Sequence, residues 1–250
     1  MLTASFTSCN DDDTDLYRSY GTALERTSGE NLKIRKDAGA YLTVDGRTGG
    51  LEKGDRVIVT YEVVGKFTEG GDNTVKLWDI YEILTKDVRL KSVLDEDEAE
   101  DAKLGNDGLV DLHAWYGGEY LNIKFRMMFD RARLQPHFFN LVADDVDFDG
   151  TTMTVTLRHN AYGDTPESGR NLRYVDGIVS FRLVDLFKEL EIAEADYPKV
   201  TLKWEQYKST NSNATETKTV ELAKFKPWTV EETAEKSDIT RIEDTKTTAK

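Results

Sequence analysis

The sequence predicts an all-β protein in two bodies, a small OB-like barrel followed by an immunoglobulin-like β-sandwich. Three observations predict it. Apolar residues recur at a spacing of two in short runs, the mark of strands with one buried face. Glycine- and aspartate-rich turns punctuate those runs, and no long stretch carries a helical period. A dense acidic run, Asp95-Glu96-Asp97-Glu98-Ala99-Glu100-Asp101, breaks the apolar pattern and divides the 250 residues into two parts, each long enough for its own core.

In the first body, Leu32–Lys36 and residues 40–44 read as strands around the turn Asp37-Ala38-Gly39. Val57, Val59, Tyr61, Val63 and Phe67 fall on one face of the next, with Thr60, Glu62 and Lys66 on the other and Gly65 as a place to bend. Residues 75–84 and 86–90 follow the turn Gly70-Gly71-Asp72-Asn73. Strands in this number without a long helix suit an OB-like barrel over residues 32–92. The acidic run makes 93–107 a linker.

In the second body, Leu121, Ile123, Phe125, Met127 and Phe129 alternate with Asn122, Lys124 and Arg126, and Met153, Val155 and Leu157 with Thr154, Thr156 and Arg158. Further strands are expected at 109–116, 137–143, 177–184, 200–207 and 217–225, a total of about seven, which suits a sandwich over 108–228. Leu186, Phe187 and Leu190 have helical spacing, with Asp185 as the expected N-cap. The polar tail, 229–250, lacks an apolar period and is expected to be disordered.

The amino-terminal residues 1–31 read as a leader. Cys9, the one cysteine, follows Leu2, Ala4, Ser5, Phe6, Thr7 and Ser8 and precedes Asn10, Asp11, Asp12 and Asp13. Small and apolar residues ahead of a cleavage point mark the end of a secretory signal. Phe6-Thr7-Ser8-Cys9 resembles a lipobox, which implies acylation of the Cys9 thiol and cleavage ahead of it. The acidic residues Asp11, Asp12 and Asp13 resemble the export signal that sends Bacteroidetes lipoproteins to the cell surface. Eight residues before Cys9 are too few for a full signal, which predicts a longer precursor. The expected partner of Cys9 is the lipid bilayer and the expected location the outer membrane, exposed at the surface, because two or three acyl chains anchor where one binds only marginally.

The formal net charge of −14 is concentrated outside the two bodies: residues 92–107 alone hold seven acidic side chains against one basic. No clustered basic face of the kind that phosphate backbones need is present, which excludes nucleic acid as a partner. No apolar run approaches the roughly 20 residues of a membrane-spanning helix.

Candidate chemistry is sparse. Asp145-Val146-Asp147-Phe148-Asp149-Gly150 places Asp145, Asp147 and Asp149 two residues apart before a glycine, as a calcium loop opens, but Thr156 stands where the closing glutamate belongs. The same residues also read as a hairpin with Val146 and Phe148 inward and an Asp-Gly turn. His113, His137 and His159 follow no zinc spacing and read as hydrogen-bonded histidines of a sandwich rim. Trp115, Tyr116, Tyr120, Trp204, Tyr207 and Trp228 are candidates either for stacking on sugar rings or for the core. A hydrolase built on Asp144, Asp145, Asp147 and Asp149 requires a carboxyl with a raised pKa.

Five stretches resemble the NigD-like family. Asp55-Arg56-Val57-Ile58-Val59-Thr60-Tyr61 and Ile83-Leu84-Thr85-Lys86-Asp87-Val88 resemble its first domain. Gly118-Glu119-Tyr120-Leu121-Asn122-Ile123-Lys124-Phe125, Leu157-Arg158-His159-Asn160-Ala161-Tyr162-Gly163-Asp164 and Gly177-Ile178-Val179-Ser180-Phe181-Arg182-Leu183 resemble its second. The resemblance implies an OB-like domain and a β-sandwich on a lipoprotein of Bacteroidetes bacteria, with a bacteriocin-immunity association carried by the family's name. The expected function is non-catalytic binding to an envelope component, a protein or a glycan, with no cofactor other than calcium at the Asp145 loop. A glycan-binding surface lipoprotein is the alternative, and the carboxylate-dependent hydrolase the third.

Overall fold

The computed structural model describes residues 14–26, 31–37, 39–44, 51–68, 70–227 and 247–249. Cys9, Asp11, Asp12, Asp13 and Trp228 lie outside the described residues. The chain is mostly β, with a closed five-stranded barrel and a sandwich.

The barrel uses β1 (Thr14–Arg26), β2 (Leu32–Lys36), β3 (Tyr41–Val44), β4 (Arg56–Val63) and β5 (Asp72–Asp87). β1 pairs with β2 and β2 with β3, β3 runs parallel to β5, and β4 joins β5 back to β1, which closes the ring. Its core holds Leu32, Ile34, Leu42, Val44, Val57, Val59, Tyr61 and Val75, the alternate residues of each strand. Two differences from the sequence pattern stand out. Thr14–Arg26, within the stretch read as leader, is the first barrel strand. It shows little apolar alternation because Ser19, Gly21 and Thr22 are among its buried positions, and a Cβ at Gly21 would press on Ile34 and the Arg35 carbonyl. The strand expected to bend at Gly65 ends at Val63; Gly65 has a φ of 91° and Phe67 is 40% exposed in the following loop.

The sandwich adds β6 (Arg89–Leu90), β7 (Asp111–Gly117), β8 (Tyr120–Phe129), β9 (Phe138–Ala143), β10 (Thr152–Asn160), β11 (Arg173–Arg182), β12 (Lys199–Ser209) and β13 (Ser212–Lys224). One sheet runs β5-β11-β8-β7 and the other β13-β12-β10-β9-β6, with β10 and β12 parallel. Leu121, Ile123, Phe125, Leu141, Val155, Leu157, Val179, Phe181 and Leu202 fill the space between them. A short strand β14 (Thr247–Ala249) pairs with the start of β1.

The acidic stretch holds two short helices, α1 (Lys91–Asp95) and α2 (Glu98–Leu104), docked on the sandwich. Leu94 and Leu104 pack on Val142, Arg158 donates from Nε to the Gly105 carbonyl at 2.6 Å, and Asp97 caps α2 by accepting from the Glu100 N–H. Glu98, Glu100 and Asp101 lie in the first turn of α2, where the helix dipole favours negative charge. The third helix, α3 (Leu183–Glu189), forms where expected, but Asp185 is not its cap. β11 runs straight into it, and the Glu119 carbonyl accepts from the N–H groups of Leu183 and Val184 instead.

The two bodies are joined in two ways. The second half of β5 leaves the barrel and pairs in parallel with β11, so one strand belongs to both. Beside it, the Arg56 guanidinium, with no exposed surface, forms a bidentate pair with Asp37, donating at 2.5 Å and 2.7 Å. It also donates to Thr22 Oγ1 and to Asn122 Oδ1. Asn122 Oδ1 accepts from Ser180 as well, and the Tyr120 ring lies under the guanidinium with its hydroxyl donating to the Gly54 carbonyl. Tyr20, Ile58, Ile83 and Trp115 pack as the apolar flank of this junction. Arg56, Asp37 and Thr22 come from the barrel; Asn122, Ser180 and Tyr120 come from the sandwich.

Candidate functional site

One end of the sandwich gathers features that folding alone does not require. Inward residues of β10 run Met153, Val155, Leu157 and then His159, so the histidine takes the last place on an otherwise apolar face. His137 stands just before β9, and its Nδ1 lies 2.9 Å from His159 Nε2. Its Nε2 lies 3.2 Å from Asp164 Oδ2, which also accepts from the Asp130 N–H at 2.8 Å. Phe139 stacks on His159 with ring centroids 4.6 Å apart. The His137 and Asp164 side chains are each 1% exposed.

An arginine rim covers this buried row. Arg170 Nη1 donates to Asp164 Oδ1 at 2.5 Å, and the Tyr162 carbonyl accepts from both Arg133 and Arg170. Tyr162 (φ 48°) and Leu134 (φ 52°) are two of the three non-glycine residues with left-handed backbone among the described residues, and both are exposed. Such a conformation costs about 1–2 kcal/mol per residue, and strain of this sort gathers at functional surfaces. The Asn160 side chain accepts from the Tyr162 N–H and fixes the turn. Next to the rim, an open groove of about 390 Å³ is lined by Arg170, Asn171, Arg173, Tyr174 and Thr210 among others.

Electrostatics make the buried row a support. Burial, with His137 as a neighbour, pushes the His159 imidazole down to about 3. Burial also lowers His137, against the opposing pull of Asp164. For Asp164, burial works upward, but the Asp130 N–H, Arg170 and His137 together hold its carboxyl below the usual range. Both histidines are therefore neutral and the carboxylate charged at neutral pH. Among the described residues, side-chain hydrogen bonds tie this row to Asp130, Arg170 and one another.

The residues singled out from sequence fare differently. Asp145, Asp147 and Asp149 do not converge. Asp145 accepts from the Ser92 N–H at 2.9 Å and from the Ser92 hydroxyl, capping α1 from a distant loop. Asp149 accepts from the Thr151 hydroxyl and from the N–H groups of Thr151 and Thr152, closing its own turn. Among the described residues no group of three or more His, Cys, Asp or Glu is placed to hold a metal ion. β9 and β10 form the hairpin, with Phe148 packed on the core, but Val146 is exposed. For Asp145, burial works upward yet the Ser92 bonds hold the carboxyl low, and the bonds from Thr152 and Thr151 hold Asp149 low, opposite to what a general acid needs. Asp145→Ala is expected to lower stability by about 1–2 kcal/mol, the value of a lost helix cap, while millimolar calcium leaves the thermal midpoint of the wild type unchanged. A calorimetric scan of both proteins checks it.

Trp115, Tyr116, Tyr120, Trp204 and Tyr207 are buried, so none offers a ring face to a sugar. Among the described residues the exposed rings are Phe67, Trp78, Tyr81, Phe138, Tyr162 and Tyr174. His113 stacks on Trp115. Sequence spacing missed the site because its members come from separate loops and the end of β10, although the stretch 157–164 holds His159, Tyr162 and Asp164 together.

A sequence model of the NigD-like C-terminal β-sandwich domain matches residues 91–220. Similar solved structures include a NigD-like immunity protein from Bacteroides caccae (19% identity, TM-score 0.59, 86% of this chain and 94% of that one covered). Another is a candidate lipoprotein from Bacteroides fragilis (13%, TM-score 0.61, 84% and 98%). A third is a protein of unknown function from Bacteroides vulgatus (20%, TM-score 0.59, 83% and 90%). At these identities the three share the fold. No curated protein matches the chain. The match to the domain model extends over more than half of the sequence, and the chain belongs to the NigD-like family.

Proposed function

We propose that this chain is a lipid-anchored protein of the bacterial outer membrane that acts by binding, with the loop end of the sandwich as its recognition surface. The observation that carries this is the rim itself: Arg133 and Arg170 fixed on the Tyr162 carbonyl, exposed Tyr162 and Leu134 in strained backbone, and a buried Asp164–His137–His159 row beneath. Rigid support for exposed aromatic and arginine side chains is how recognition surfaces limit the entropy lost on binding. Relatives of the same fold described as an immunity protein and as a candidate lipoprotein fit a binding role at the envelope. The anchor is Cys9, with Asp11, Asp12 and Asp13 as the export signal.

Two measurements in the native host test this. In the full-length precursor, Cys9→Ala is expected to abolish labelling by a radioactive fatty acid and to move the protein out of the outer-membrane fraction; unchanged fractionation would remove the anchor. A photo-crosslinking residue at Tyr174 is expected to trap an envelope component, whereas one at the exposed Tyr81 on the barrel is not. Trapping only from Tyr81 would place recognition elsewhere.

A further inference from the structure

We infer that the groove beside the arginine rim binds an acidic glycan, a sugar chain bearing uronic-acid carboxylates; this rests on the loop end being the recognition surface. The groove lining supplies cations and neutral donors: Arg170, Arg173, Asn171 and Thr210 line it and no carboxylate does. Asp164 offsets Arg170, which leaves the positive charge of the lining on Arg173, in a chain of formal charge −14, and favours an anion there. Arg170 is oriented by Asp164 and the Tyr162 carbonyl. Arg173 is exposed, and the one side-chain hydrogen bond it makes among the described residues is a 3.4 Å contact with the adjacent Leu172 carbonyl. A guanidinium in that state has its planar donor fork to offer to a carboxylate.

The second requirement is a surface for the sugar ring. Tyr174, next to Arg173 and 55% exposed, presents one, and Met128 extends the apolar part of the lining. A uronate pyranose carries an apolar ring face and a carboxylate on the same residue, and a groove lined by an exposed tyrosine and two arginines offers a partner for each. An open groove suits a chain passing through better than a small molecule that must be enclosed.

The test is calorimetric titration of the protein with trigalacturonate, a neutral maltotriose, inorganic phosphate and an acidic hexapeptide. Trigalacturonate is expected to bind, more weakly as salt rises, and both Arg173→Gln and Tyr174→Ser are expected to weaken it at least tenfold with the thermal midpoint unchanged. Equal binding of maltotriose, or phosphate displacing trigalacturonate as effectively as more trigalacturonate, overturns the ligand class. Binding of the hexapeptide in place of trigalacturonate also overturns the ligand class and leaves recognition at this surface standing. Trigalacturonate binding that neither substitution weakens overturns the site. Silence from all four probes overturns the inference, and crosslinking from Tyr174 then decides separately whether the surface binds anything.

Discussion

Asp37→Ala is expected to cost about 3–5 kcal/mol of folding stability, the penalty of leaving a buried charge without its partner. The Arg56 guanidinium has no exposed surface and cannot turn to water when the carboxylate is removed. Thr22 and Asn122 still accept from it, but neither neutralises its charge. The loss reaches both bodies, because Asn122 of the sandwich accepts from the same guanidinium and from Ser180. Urea unfolding followed by fluorescence checks the size of the effect, and the double replacement Asp37→Leu with Arg56→Met is expected to recover much of it, since apolar side chains in place of a buried ion pair are often neutral or stabilising. A loss under 1 kcal/mol for Asp37→Ala would mean that water reaches the junction. Gly117→Ala is a second probe, because a Cβ there would overlap the Asp37 carboxylate.

Acid is expected to loosen the loop end of the sandwich where His137, His159 and Asp164 meet. His159 has a folded-state pKa near 3 against about 6.5 in an unfolded chain. Below pH 6.5 the unfolded state therefore takes up a proton that the folded state refuses. Stability is complete above that value and falls as the pH drops, by about 2 kcal/mol at pH 5 for this residue alone. His137 is lowered too and acts in the same direction. Asp164, also lowered, extends the loss to still lower pH as its carboxylate is protonated. Urea unfolding at pH 8 and pH 5 is the check, and His159→Phe is expected to remove its share of the difference. An unchanged difference in that variant would place the acid-sensitive groups elsewhere.

Alternation in the sequence revealed the strands with the clearest two-sided character. β8 and β10 follow Leu121-Ile123-Phe125 and Met153-Val155-Leu157 because each has one face against the core. β1 was hidden because small and polar residues occupy buried places along it, which erases the pattern. The acidic stretch gives no apolar period either; it is docked by two leucines and by contacts with Arg158 and Asp145 that lie far away in sequence. The same distance in sequence concealed the site. Asp164, Arg170 and Arg133 meet through loops, whose geometry has no period to read. Yet the stretches that carry the family resemblance supply Arg56, Asn122 and Ser180 to the junction, and His159, Tyr162 and Asp164 to the rim. Their meaning lay in side chains that meet in space, and a single sequence does not show which ones do.

The strand that serves both bodies makes them inseparable. Severing the chain ahead of Lys91 would strip residues 179–182 of β11 of their parallel neighbour and leave an open row of backbone donors and acceptors along the sheet. It would also remove Val88 from the sandwich core and leave Asn122 without Arg56. An excised sandwich is expected to associate edge to edge with its own copies, and a foreign barrel grafted in front of it would have to bring a strand of the right length and register. What looks in the sequence like a seam between two modules is, in the folded chain, a weld.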